Sequence, residues 1–235
     1  MTIHEETGRA PDPATAALDP HLRDRVHLLP QTDQLRALHT VIRDRDARRE
    51  DFVLHSRRIM RLLIETGLGL LPFEPHEVRT PVGRVYEGRR FASRLCGVPI
   101  MRAGESMEAE LRAVCPAVRI GKILIQRDRV TKLPHLYYAA LPEDIAERQV
   151  LLLDPMLATG GTALAAIRLL LDRGVPEENI TFITFITVPE GIRAVCGPHP
   201  RIRLVTSAIE EGLNENAYML PGIGDFGDRY FGTDG

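Results

Sequence analysis

The sequence predicts an α/β fold, a parallel sheet covered by helices on both faces, and three observations carry that prediction. Five short aliphatic and β-branched runs, at residues 98–101, 120–126, 150–154, 180–188 and 202–208, read as strands. Apolar runs of this kind suit strands buried on both faces, as parallel strands are. Helical patterning separates several of them, which is the layout of repeated βαβ units. The strand ends are polar: Arg102 follows Met101, Arg127 follows Gln126, and Asp154 follows Leu153. In open α/β sheets ligands bind beyond the carboxyl ends of the strands. Two arginines and one acid are therefore expected along a common edge, although the usual fate of a single such arginine is a surface ion pair.

The remaining elements follow in chain order. Residues 1–20 are polar with three prolines and read as a mobile tail; residues 21–235 read as a single domain. From 32 to 71 the pattern is helical. Within it Arg43, Arg45, Arg48 and Arg49 alternate with Asp44, Asp46, Glu50 and Asp51, most simply a solvated mixed-charge helix face. Residues 76–86, with Pro81 and Gly83, read as a β-hairpin. Residues 129–142 interrupt the periodic pattern between two strands.

Composition narrows the function classes. Hydrophobic residues make up 44% of the 235-residue chain and aromatics 5%, with no Trp, so the core is aliphatic. Thirty basic residues against 32 acidic ones give a net charge of −2, which offers no argument for a nucleic-acid or membrane partner. Cys96, Cys115 and Cys196 lack the paired spacing of a zinc site and read as reduced thiols. No run approaches the ~18 apolar residues of a membrane span, and the polar start lacks a signal-peptide core. A cytoplasmic protein is expected.

The most informative stretch is 150–174, VLLLDPMLATGGTALAAIRLLLDRG. An apolar strand ends at Asp154, a small-residue loop follows, and an amphipathic helix runs from about Ala163 to Asp172, with Gly174 placed to cap it. Backbone N–H groups of such a loop and the positive end of its helix converge on one point, a cradle for phosphate. Thr159 and Thr162 add hydroxyl donors. A Walker A loop is excluded, because no Lys follows Gly160-Gly161. The upstream carboxylate instead suits ribose hydroxyls while the cradle holds a 5′-phosphate. The plainer alternative is a tight strand-to-helix turn.

DPMLATGGT resembles the phosphoribosyl pyrophosphate (PRPP) loop of uracil phosphoribosyltransferases, including Asp154-Pro155 where most type I phosphoribosyltransferases carry two acids. RAGESME at 102–108, GKILIQRD at 121–128 and GLNENAYMLPGIGDFGDRYFGT at 212–233 resemble further segments of that family, in the version common among eukaryotic members. The resemblance implies a type I phosphoribosyltransferase fold with a small hood or flap region. It implies conversion of uracil and PRPP to UMP and diphosphate, with Mg²⁺ held mainly through PRPP and no protein ligand assigned. PRPP contacts carried over are Arg102, Arg127, Asp154, Pro155, Met156, Leu157, Ala158, Thr159, Gly160, Gly161, Thr162 and Asp225. Uracil contacts carried over are Met219, Gly224, Asp225 and Phe226. Arg102, Arg127, Asp154 and Asp225 are the catalytic set. For Phe226, packing is favoured over stacking on the base. Residues 129–142 correspond to a flap or arm, Thr162 stands where the family commonly has Ser, and several members respond to GTP and form dimers or tetramers.

The chemistry accounts for such groups. Loss of diphosphate leaves positive charge on the ribose and adds negative charge to the leaving group, which arginine forks and Mg²⁺ stabilise. Gly222–Gly227 satisfies the dinucleotide pattern G-x-G-x-x-G, but Pro221 precedes it and no second strand can follow, so that reading is rejected. Two other classes are open to a chain of this pattern. An RNA-binding regulator on the same fold would keep the double acid and a basic face. A silent homologue would have lost Arg102, Asp154 or Asp225.

Overall fold

The computed structural model describes residues 18–127 and 134–233, apart from the Arg127 side chain. Most of the expected tail, residue 128, and residues 129–133 of the expected flap lie outside the described residues. The tail is shorter than expected at its inner end: Leu18 is buried and Asp19 caps the first helix, α1 (Pro20–Arg23). An acid followed by Pro is a favourable helix start, and it holds the chain against the domain from there.

Nine strands form the central sheet. In chain order they are β1 (Val26–Leu28), β4 (Leu95–Met101), β5 (Arg119–Ile120), β6 (Lys122–Arg127), β7 (Pro134–Ala140), β8 (Gln149–Leu153), β9 (Met156–Leu157), β10 (Ile180–Thr187) and β11 (Arg203–Ile209). Their order is β1-β11-β10-β8-β4-β6-β7, with β5 also against β4 and β9 also against β10. Every pair is parallel except β6 with β7. The expected strand at 120–126 is two strands, since the chain steps at Gly121, whose N–H donates to Gly97 O. Residues 134–140 are an antiparallel edge strand, with Tyr137 and Tyr138 exposed.

The five helices that cover the sheet are α2 (Asp33–Arg43), α3 (Arg49–Gly69), α4 (Glu105–Val114), α5 (Gly161–Asp172) and α6 (Pro189–Cys196). Alternation along β8 builds a core on each face. Leu151 and Leu153 pack with Leu63, Met107 and other residues of α2 to α4, whereas Val150 and Leu152 pack with Ala166, Leu170 and Val195 of α5 and α6. All five β8 residues are buried, as its continuous apolar run requires.

The mixed-charge run does not form one helix face. Helix α2 stops at Arg43 and α3 starts at Arg49, with Asp44 and Arg48 in extended conformation between them. The i,i+4 charge pattern runs on through this break, but Arg43 is drawn to Glu210, far along the chain. The hairpin is longer than 76–86: β2 (Phe73–Arg79) and β3 (Val85–Phe91) pair from Phe73 opposite Phe91 to the turn. Its tip is open to solvent, Val82 at 83% exposure.

Candidate active site

From β4 the sheet grows through β6 on one side, while β8, β10 and β11 lie on the other. Strand order thus reverses between β4 and β8, and the crevice beyond their carboxyl ends is the favoured ligand position of such sheets. Arg102 follows β4 and Asp154 follows β8, as the sequence predicts. A cavity of about 270 Å³ opens there, lined by Asp154, Met156, Ala158, Met219, Asp225 and Phe226 among others.

The loop after Asp154 is pinned to the sheet from beneath. Pro155 O accepts from Phe185 N–H at 3.0 Å, β9 pairs with the end of β10, and Thr187 Oγ1 donates to Leu157 O at 3.1 Å. Pro155 and Leu157 are therefore buried, so their side chains belong to the core. Gly160 is the N-cap of α5 in the left-handed region, φ 82°. A Cβ there would lie 2.9 Å from Ala194 Cβ, so both conformation and space demand glycine. Around Gly161 there is open space. Thr159 is exposed and Thr162 partly so. The first N–H groups of a helix have no partner within it, so this 12-residue helix starts with unpaired donors just after the cavity-lining Ala158. It begins two residues before the expected Ala163. Gly174, at φ 81°, takes the C-terminal capping position expected for it.

Asp154 faces the cavity yet sits deep. Burial pushes its carboxyl up to about 7, opposed by a long bond from Met156 N–H at 3.4 Å. Such a group gains from hydroxyl donors.

Arg102, outside the residues that line the cavity, reaches the C-terminal helix α7 (Phe226–Phe231). Its Nη2 donates to Asp228 Oδ1 at 2.7 Å and its Nη1 to Thr233 Oγ1 at 3.0 Å; Asp225 Oδ1 lies 4.0 Å away. Asp225 caps α7 by accepting from Asp228 N–H at 2.9 Å. The Thr233 hydroxyl and Arg102 hold Asp228 below the usual carboxylate range. The peptide between Met101 and Arg102 is cis. Arg127 ends β6, beside β4 at the same edge; its side chain lies outside the described residues.

The C-terminal segment supplies the other wall. Met219, in β13 (Met219–Leu220), is buried against the cavity; β13 pairs with β12 (Gly212–Leu213). Gly224 and Asp225 line it from a loop. Phe226 is 1% exposed and its ring meets Phe52, Phe185 and Tyr230 at centroid distances of 5.2–5.5 Å. It packs, as favoured from sequence, and forms the cavity floor. The dinucleotide pattern leads only into the six residues of α7.

Sequence reasoning missed Ala103, Ala217, Tyr218 and Gly227 as lining residues, and Asp228 and Thr233 as partners of Arg102. The three-residue spacing of Asp225 and Asp228, an N-cap followed by a first-turn acid, was the available signal for Asp228. Nothing in an alanine announces the positive φ of 62° at Ala217.

Comparison with known proteins bears on the family and the fold. The family model described as "Uracil phosphoribosyltransferase" matches residues 15–233. A uracil phosphoribosyltransferase of Dictyostelium discoideum is 57% identical over 211 residues, covering 90% of this chain and 98% of the relative. One from Saccharomyces cerevisiae is 54% identical over 206 residues, 88% of this chain and 95% of the relative. Among solved structures, the AQ2163 protein of Aquifex aeolicus superimposes with a TM-score of 0.77 at 29% identity, covering 88% of this chain and 97% of that one. With more than half of the aligned residues identical over nearly the whole length of these relatives, the chain belongs to the uracil phosphoribosyltransferase family.

Proposed function

We propose that the chain transfers the phosphoribosyl group of PRPP to N1 of uracil, releasing UMP and diphosphate in pyrimidine salvage. One observation carries this reading: the loop after β8 and the segment around Met219–Phe226 line the same cavity, at the sheet's switch point.

The loop from Pro155 to Thr162 holds the 5′-phosphate on its N–H groups, with Thr159 and Thr162 hydroxyls added. Asp154 accepts from the ribose hydroxyls, which orients the anomeric carbon toward the base. Arg102 and Arg127 receive the diphosphate, where a guanidinium fork opposes the charge that grows as the bond breaks. The backbone at Gly224–Phe226 matches one edge of uracil, and a donor aimed at the 4-oxo group is left unpaired by cytosine. Asp225 faces both substrates. Orientation and electrostatics then suffice for direct displacement, without a protein nucleophile.

Mg²⁺ supplies charge neutralisation on the diphosphate. The donors fit a hard ion that keeps its waters, since the carboxylates of Asp154 and Asp225 both face the cavity. We assign the ion to PRPP. GTP activation and a homodimer or homotetramer are proposed with it. The exposed apolar residues of the β2–β3 hairpin, Val82, Val85 and Tyr86, support association of copies. Among the described residues no helix is long and apolar enough to cross a membrane. The free cysteines, with burial pushing the Cys96 and Cys196 thiols up to about 11, suit a reducing cytoplasm.

The test is a radiolabelled-uracil assay with PRPP and Mg²⁺, with and without GTP. UMP formed from uracil and not from cytosine supports the reading. Folded protein that makes no UMP under either condition overturns it.

A further inference from the structure

The loop that carries Gly224 and Asp225 is suspended from side chains that the proposed chemistry does not use. Glu210 follows β11 and its side chain is 2% exposed. Arg43, at the end of α2, grips it with both nitrogens: Nη1 to Oε2 at 2.9 Å and Nη2 to Oε1 at 2.5 Å. The same pair takes both backbone groups of Gly222. The Gly222 N–H donates to Glu210 Oε2 at 2.7 Å, and Gly222 O accepts from Arg43 Nη1 at 3.2 Å. One residue on, Ile223 O accepts from Arg229 Nη1 at 2.8 Å. Arg229 in turn is tied to Ile42 O and Asp44 O, the end of α2, at 2.6 Å each.

Only glycine fits at position 222. Its φ is 67°, and a Cβ there would lie 2.3 Å from the carbonyl oxygen of Met219, a residue of the base pocket. Three successive peptides, from 221–222 to 223–224, are thus hydrogen-bonded to Glu210, Arg43 or Arg229 immediately before Gly224 and Asp225 emerge into the cavity.

We propose that Arg43 and Glu210 are positioning residues that set the Gly222–Asp225 backbone for base recognition, and thereby the preference for uracil. This rests on the function proposed above. A buried carboxylate is stable only when its oxygens are occupied. Burial alone would raise the Glu210 pKa; the Arg43 bonds and the Gly222 N–H outweigh it and hold the group ionised. The charge pair therefore serves as a rigid three-way junction between α2, β11 and the base loop. Hydrogen bonds weaken steeply with misalignment. A small shift of this loop accordingly penalises a flat, uncharged base far more than it penalises PRPP, which meets this loop only at Asp225 and is held mainly by the loop before α5.

The experiment compares the full chain with Arg43→Lys, which keeps the charge and loses the fork, and with Glu210→Gln, which keeps the shape and loses the charge. Expected are a uracil KM raised about tenfold, a PRPP KM changed by less than about twofold, and a weaker preference for uracil over cytosine. Backbone amide exchange should quicken at 222–225 and stay unchanged in the loop before α5. A proportional rise in both KM values, or a lower melting temperature with unchanged uracil KM, overturns the proposal. If the wild type makes no UMP, the function reading fails on its own. The exchange comparison then decides the clamp, and equal rates at 222–225 reject it.

Discussion

Arg102 and Asp228 meet at 2.7 Å beside the cavity-lining Gly227, so the guanidinium assigned to diphosphate is docked on the C-terminal helix. Asp225 caps that same helix, which links the base wall to the diphosphate arginine through one short element. The pair is open, with Arg102 side-chain exposure at 52%, and open pairs add little to stability. Asp228→Asn should therefore leave the melting temperature almost unchanged. Its effect should fall on Arg102 orientation, raising the PRPP KM about fivefold. Steady-state kinetics beside thermal melting check this, and an unchanged PRPP KM leaves the contact without a role in binding.

Gly160 gives a sharper test of the phosphate cradle. Alanine there meets two penalties, a left-handed backbone and contact with Ala194 at 2.9 Å. Gly160→Ala should cost about 1–3 kcal/mol in stability and raise the PRPP KM about tenfold. Uracil binding should barely change. Unfolding curves and the two KM values measure each part separately.

Legibility from sequence followed the range of the interactions. The 150–174 stretch was readable because strand, loop and helix are local, and burial on both faces leaves a continuous apolar run. The edge residues Arg102 and Asp154 were readable because the sheet rule fixes where strand ends point. The break between α2 and α3 was not. Charges at 43–51 satisfy helical spacing, and only Glu210, 167 positions away from Arg43, shows where that arginine goes. The Arg102–Asp228 contact spans 126 positions and was invisible for the same reason.

Phe226 separates packing from recognition. It is assigned to the uracil wall by resemblance, yet its ring is enclosed by Phe52, Phe185 and Tyr230. Phe226→Leu should lower stability by about 1–2 kcal/mol through incomplete filling. That corresponds to a melting temperature lower by roughly 2–8 °C. The uracil KM should stay within about threefold. A tenfold rise at unchanged stability would instead mean that the ring stacks on the base.

Asp154 should make stability depend on pH in an identifiable window. Burial raises its carboxyl to about 7 in the folded chain, against an unfolded value of about 3.9. Below pH ~4 both states are protonated and the raised value costs nothing. From pH ~4 to ~7 the unfolded chain ionises and the folded one does not, so this contribution is lost as pH rises, at up to about 1.4 kcal/mol per unit. Three units set a ceiling of about 4 kcal/mol, and contact with the cavity reduces it. Asp154→Asn removes the term, so its melting temperature should gain on the wild type as pH rises through that window and stop gaining above pH ~7. PRPP hydroxyls favour the ionised carboxylate, so wild-type PRPP affinity should rise with pH through about 7 relative to the Asn variant. Parallel melting curves across pH 4–8 would reject a raised Asp154, and parallel PRPP titrations would reject its contact with the ribose.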